Sequence, residues 1–293
     1  MKLNVVLFSL VLFALFSFKV PDEKGVYLSE KIYRFHVGEW ECTVINDGTM
    51  VQPLSAVFNQ ANRNKLSAVI QKQGIDTSAI KLSINVFVAR NKQHTIVFDP
   101  GMGKGVDDNY GHLMENLRVA AIDSSKVDYV ILTHGHWDHI GGVTNSAGKI
   151  NFPNATFVMS KNEWDFWTNE NNLAKFPKQL GDVARKNLPP LKDKMKFVNA
   201  KAELVPGVTI IPESGHTPGL ITVAFSSGKD KLIYMSDVMH VAFQMEEPNA
   251  SPIYDIDAAQ ALKTRKEFIE LVKANKYKVF AYHFDFPGLV DFK

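Results

Sequence analysis

The chain has 293 residues, of which 45% are apolar and 22% charged, and carries a net charge of +2. That suits one large globular domain or two small ones with a sizeable buried core. Lys and Arg are interspersed with Asp and Glu, so no basic patch argues for nucleic acid; Cys42 is the sole cysteine, which excludes an intramolecular disulfide and a thiolate metal site.

The first twenty residues, MKLNVVLFSLVLFALFSFKV, place one early lysine before an apolar run from Val5 to Phe18. The run is too short to span a bilayer comfortably and suits the core of a secretory signal or an N-terminal anchor. The flank Phe16-Ser17-Phe18-Lys19 lacks a small-x-small cleavage site, so cleaved signal, uncleaved anchor and N-terminal helix stay open. Export, to the periplasm or beyond, is the expected destination, with residues 21–293 as the functional domain.

Short β-branched or aromatic runs predict strands at Thr95–Phe98, Val127–Thr133, Thr156–Met159, Val208–Ile211, Ile221–Phe225, Leu232–Met235 and Val279–Tyr282. Cys42 reads as a small residue within a strand. Helical spacing recurs over Leu113–Ala121 and again from about Ala258 to Lys273, where Asp257 and Gln260 form a capping pair. Asn187–Pro190 and Pro248–Pro252 read as loops, and no low-complexity linker divides the chain. Strands and helices mix throughout, which predicts one α/β domain with helix-covered sheets.

Polar residues gather where the strands end. Thr95–Phe98 runs into Asp99-Pro100-Gly101, Val127–Thr133 into His134, Leu232–Met235 into Ser236-Asp237, and Val279–Tyr282 into His283. Ile210-Ile211 leads through a short loop to Gly215-His216-Thr217-Pro218-Gly219. The densest cluster is the stretch LTHGHWDHIGG at 132–142, with three histidines and an aspartate in six positions. Imidazoles and a carboxylate crowded this closely make sense around cations, and nitrogen and oxygen donors suit zinc and related divalent ions. His134 and His136, alternate residues on a turn, can face one ion while Asp138 and His139 turn toward a second. His216 and His283 complete the two sets, and Asp237 has two oxygens with which to bridge them.

With these motifs the chain resembles the metallo-β-lactamase superfamily from about Glu39 to Phe292. The resemblance implies an αββα sandwich in a single domain, with a dinuclear zinc site at one sheet edge. His134, His136 and His216 would hold one zinc and Asp138, His139 and His283 the other, with Asp237 bridging and Asp99 orienting a ligand imidazole. Within the superfamily, the bridging Asp237 is unlike true β-lactamases. The ten residues after His283 leave no room for the glutathione-binding region of glyoxalase II. A tRNA-processing nuclease would need a basic face, and a mononuclear persulfide dioxygenase would leave Asp138 idle. Ser236-Asp237-Val238-Met239-His240-Val241, the acidic Glu246-Glu247-Pro248 and the ending His283-Phe284-Asp285-Phe286-Pro287-Gly288 resemble the subgroup of N-acyl-homoserine lactonases and methyl parathion hydrolases. The likeness is greatest to exported quorum-quenching lactonases of the AidC type.

The resemblance implies ring opening of an N-acyl-homoserine lactone by a metal-bridging hydroxide, with Asp138 carrying the proton to the leaving oxygen. It leaves room for a homodimer, and phosphotriester hydrolysis is the alternative reaction. Many lactonases place a tyrosine three residues after the bridging aspartate; here His240 stands there, either donating the same hydrogen bond or packing at a loop entrance. Trp137, Met239, Phe284 and Phe286, all close to ligands in sequence, are candidates for an apolar wall around an acyl chain.

Overall fold

Along one central strand Val86 and Val88 turn to one side while Phe87 and Ala89 turn to the other, and this period-two alternation organises the molecule. The computed structural model describes residues 25–105 and 107–291, so the apolar leader lies outside the described residues. Eight strands form a first sheet in chain order: β1 (Val26–Ser29), β2 (Ile32–Val37), β3 (Trp40–Gln52), β4 (Ile80–Arg90), β5 (Thr95–Phe98), β6 (Tyr129–Ile131), β7 (Thr156–Ser160) and β8 (Met195–Val198). Pairing is antiparallel from β1 to β5 and parallel from β5 to β8.

The second sheet contains β9 (Ala202–Val205), β10 (Val208–Pro212), β11 (Ile221–Ser227), β12 (Asp230–Tyr234), β13 (Lys278–Phe280) and β14 (Leu289–Asp291), ordered 14-13-12-11-10-9. Between the sheets Phe87, Phe98, Phe225, Tyr234 and Phe280 are fully buried, with Phe87 centred 4.8 Å from Phe280 and 5.3 Å from Phe98. Helices cover both outer faces. Leu113 and Leu117 of α2 (Leu113–Val119), with residues of α3 (Trp137–Ile140), α4 (Lys161–Trp167), α5 (Glu170–Leu173) and α6 (Lys178–Asn187), pack on the first sheet. Phe268, Ile269 and Val272 of α7 (Ala258–Asn275) pack on Ile233, Val279 and Ala281 of the second. The α1 helix (Gln60–Gln73) joins a separate cluster with Val241 and Phe243. The layers are the αββα sandwich that the resemblance implied.

Expected strands and helices match in kind and differ at their ends, whereas the stretch read as a loop at Asn187–Pro190 closes α6 and opens a 3-10 helix over Pro189–Lys194. The strand read as Val127–Thr133 pairs only over Tyr129–Ile131, because the Thr133 amide leaves the ladder and donates to Asp99 Oδ1 at 2.7 Å. The Asp257 carboxylate caps α7 by accepting from the Gln260 amide. Cys42 is buried in β3. No helix among the described residues is long and apolar enough to cross a membrane.

Register explains why polar residues converge. Phe98 pairs with Ile131, and Ile131 with Val158, so Asp99 leaves its strand beside Thr133 and His134. In the second sheet Tyr234 pairs with Phe280, which sets Asp237 and His283 at one level. The Ile221 amide bonds the Thr133 carbonyl at 3.1 Å, bringing the two sheets' ends together.

Candidate metal centre

The seven residues read as ligands meet at this seam. His134, His136, His216 and Asp237 form one donor group and Asp138, His139 and His283 another, with the ligand atoms of each within 4.8 Å of one another. His136 Nδ1 lies 3.0 Å from both His134 Nε2 and His216 Nε2, and Asp237 Oδ2 lies 3.6 and 3.4 Å from those two nitrogens. Asp138 Oδ2 is 3.7 Å from His139 Nε2 and 3.4 Å from His283 Nε2. Two ligand atoms at tetrahedral positions about 2.0–2.1 Å from a common ion are about 3.3 Å apart. The observed spacings cluster around that value. Asp237 faces both groups, with Oδ1 3.3 Å from His139 Nε2 and Oδ2 3.2 Å from His283 Nε2.

The donors fit bound cations on a second count. His139 Nε2 and Asp237 Oδ1 are buried without a hydrogen-bond partner, an arrangement that is costly unless something else binds them. Burial, reinforced by neighbouring imidazoles, holds His134 and His136 well below the usual histidine range, which keeps them neutral with lone pairs available. Burial alone would lower His139 too, but the carboxylates of Asp237, Asp138 and Asp99 outweigh it.

Around the donors lies a frame of hydrogen bonds. Asp99, at a positive φ of 44°, accepts from the Thr133 amide and hydroxyl and from the Tyr234 hydroxyl at 2.6–2.7 Å. Its Oδ2 is 3.0 Å from His139 Nδ1, the orienting position expected of it. Tyr282 donates to the Asp138 carbonyl at 2.6 Å. No sequence motif marks Asp255, whose Oδ1 is 3.0 Å from His216 Nδ1 while Oδ2 accepts from Arg265 at 3.0 Å. Arg265 is fully buried and also donates to the carbonyls of Val238, Pro248 and Ala250. A signal for it existed: Arg265 sits with Ala261, Phe268 and Val272 on the buried face of α7, where a charge needs a partner.

The donors open onto a cavity of about 580 Å³ whose walls include Met50, Leu82, Phe176, Leu180, Ile253 and Ile256. Trp137, Asp138 and His240 also line it, as does Tyr254. Three other expected wall residues do not. Met239 and Phe284 lie in the core between the second sheet and α7, and Phe286 packs at the edge of the inter-sheet core, 6.1 Å from Tyr27. Nearness in sequence to a ligand does not carry over, because neighbouring residues on extended backbone face opposite ways. His240 is buried, with Nε2 3.2 Å from Asp237 Oδ2 and its ring stacked on His283 at 5.4 Å; it forms a third donor group with those two residues.

Fold and donor set together define a metal-dependent hydrolase, and the chain belongs to the metallo-beta-lactamase superfamily, whose family model matches residues 79–283. It is 27% identical over 156 residues to an N-acyl homoserine lactonase of Bacillus cereus, a match spanning 53% of this chain and about half, 55%, of that protein. A second N-acyl homoserine lactonase, from Bacillus sp., is 23% identical over 224 residues, covering 70% of this chain and 82% of the relative. The structure of AidC, a dizinc quorum-quenching lactonase in complex with a product, superposes with a TM-score of 0.79 at 27% identity, covering 88% of this chain and 92% of that one.

Proposed function

We propose that this protein opens the lactone ring of N-acyl-homoserine lactones, using two zinc ions held by His134, His136, His216, Asp138, His139 and His283 with Asp237 between them. The observation that carries the reading is the junction of two surfaces: paired donor groups at the base of a cavity whose side walls are apolar. Such a site takes a substrate with a polar, hydrolysable head and a hydrocarbon tail. The likeness to lactonases supports the same reading. A pair of zinc ions there would supply a water-derived nucleophile near neutral pH and polarise the lactone carbonyl.

The chain's own residues then divide the remaining work. Met50, Leu82, Leu180 and Ile253 exclude water from the acyl chain and fix the head group over the donors. His240 Nε2–H, held against Asp237 Oδ2, is shared with the substrate oxygen as negative charge develops on it. Asp138, whose carboxylate lines the cavity, carries the proton to the oxygen released when the ring opens.

The zinc-loaded protein should contain about two ions per chain and turn over acyl-homoserine lactones well ahead of paraoxon. A stoichiometry that stays near one at full activity would refute the paired site. Preferential cleavage of paraoxon would replace the lactone by a phosphotriester as the substrate. Residues 1–20 complete the proposal as an export leader.

A further inference from the structure

Glu163 begins in an unpromising place, the first turn of α4, a helix that contributes no ligand. Its side chain is nevertheless fully buried. Oε1 accepts from the Gly135 amide at 3.0 Å and from the Trp167 indole at 2.5 Å, and Oε2 accepts from the Gly219 amide at 2.8 Å. These partners are neutral, so hydrogen bonds alone offset the burial of the carboxyl group, a placement that is costly unless every bond is made.

The two amides belong to different loops. Gly135 lies between His134 and His136, and Gly219 is three residues after His216. One carboxylate therefore grips both loops that deliver histidines to the first donor group. The fit around it is close. A Cβ on Gly135 would come within 2.3 Å of the Trp167 ring, and one on Gly219 within 2.1 Å of Ser160 Oγ, so these glycines allow the loops to approach α4. The Trp167 ring in turn lies edge-on to the His136 imidazole, with centroids 5.3 Å apart.

We infer that Glu163 is a positioning residue for the first ion, setting the convergence of His134, His136 and His216 by clamping the Gly135 and Gly219 amides to α4. It touches neither ion nor substrate. Its absence would loosen the first donor group and leave Asp138, His139 and His283, which hang from other contacts, in place. The inference rests on reading His134, His136 and His216 as ligands of one ion.

The experiment is stepwise cobalt binding to the metal-free full chain, followed by visible absorption and by competition with a chelator, for the parent and for Glu163→Gln. In the glutamine variant an NH2 group must face one of the donors, so one loop is released. The first-site affinity should fall by roughly 10- to 100-fold and its cobalt bands should change, with the second-site affinity within about twofold of the parent. Ser160→Ala removes the α4 cap, whose hydroxyl accepts from the Glu163 amide, but leaves the carboxylate; it should lower stability without changing the cobalt bands. Unchanged bands and affinities in Glu163→Gln overturn the inference, as does an equal change in Ser160→Ala, which would assign the effect to helix integrity. If the parent itself takes up only one ion, the dinuclear reading fails instead. Should Glu163→Gln not fold, the parent decides the matter: in the metal-free protein the Gly135 and Gly219 amide protons should be downfield-shifted and slow to exchange, and fast exchange at either rules out the clamp.

Discussion

Asp255→Asn tests the brace behind His216. The wild-type side chain and that of Arg265 are both fully excluded from solvent, and their contact is 3.0 Å. Removing the negative charge leaves the guanidinium inside with three carbonyl acceptors, those of Val238, Pro248 and Ala250. Breaking a buried pair from one side costs about 3–5 kcal/mol. The three remaining acceptors place this case at the low end, near 3 kcal/mol. For a chain of this size, with a urea m-value of about 3 kcal/mol/M, the unfolding midpoint should fall by about 1 M. Tryptophan fluorescence in excess chelator is the appropriate assay, since bound metal would add its own stabilisation. The asparagine also presents an NH2 group to either His216 or Arg265, so first-site metal affinity should drop about tenfold or more. Replacing Arg265 by Met in the same variant should give no recovery, because the three carbonyls would lose their donor at about 1–3 kcal/mol each. A midpoint within 0.2 M of the parent, a small fraction of the roughly 1 M expected, together with unchanged metal affinity, would refute the reasoning.

His240→Phe should retain two ions and lose roughly 10²-fold in lactone turnover, with His240→Tyr recovering much of it; parent-level turnover in the phenylalanine variant would reduce His240 to packing. Glu213, desolvated and facing Glu267, has its carboxyl pushed up to about 7 from 4.5. The folded state therefore binds that proton more tightly, and its contribution is full below pH 4.5 and lost as pH rises toward 7. Glu213→Gln should match the parent near pH 4 and exceed it by about 1–2 kcal/mol at pH 8, part of the full shift being screened by solvent; equal stabilities at both pH values would count against the shift. Deleting residues 1–20 should leave a folded, active enzyme, and an unfolded product would make that stretch structural.

The donor residues were legible because each strand end contributes a short motif: the ladder stops, a polar residue follows, and no distant information is needed to see it. The supporting carboxylates were not legible for the opposite reason. Glu163 meets amides 28 and 56 positions away, and Asp255 meets His216 across 39, so nothing local marks them. Apart from the strand read at Cys42, the N-terminal strands escaped notice because polar residues interrupt the alternation, as at Asn46 and Asn85, which bond each other across β3 and β4 at 3.2 Å. The acyl wall was misread at Met239 and Phe284 because sequence adjacency stood in for direction. Trp137 does line the cavity: α3 begins at that residue and leaves its side chain only partly buried.

The cavity's outer walls come from a different part of the architecture than its donors. Phe176, Pro177 and Leu180 occupy the approach to α6 and its first turn, and Ile253 and Ile256 the irregular segment before α7. The donors hang from strand ends fixed by the register of two sheets. Heritable variation can therefore reshape what the pocket admits while the reacting apparatus is inherited unaltered. Substitutions at those outer positions alter the shape of the opening without touching the strand ends that carry the donors.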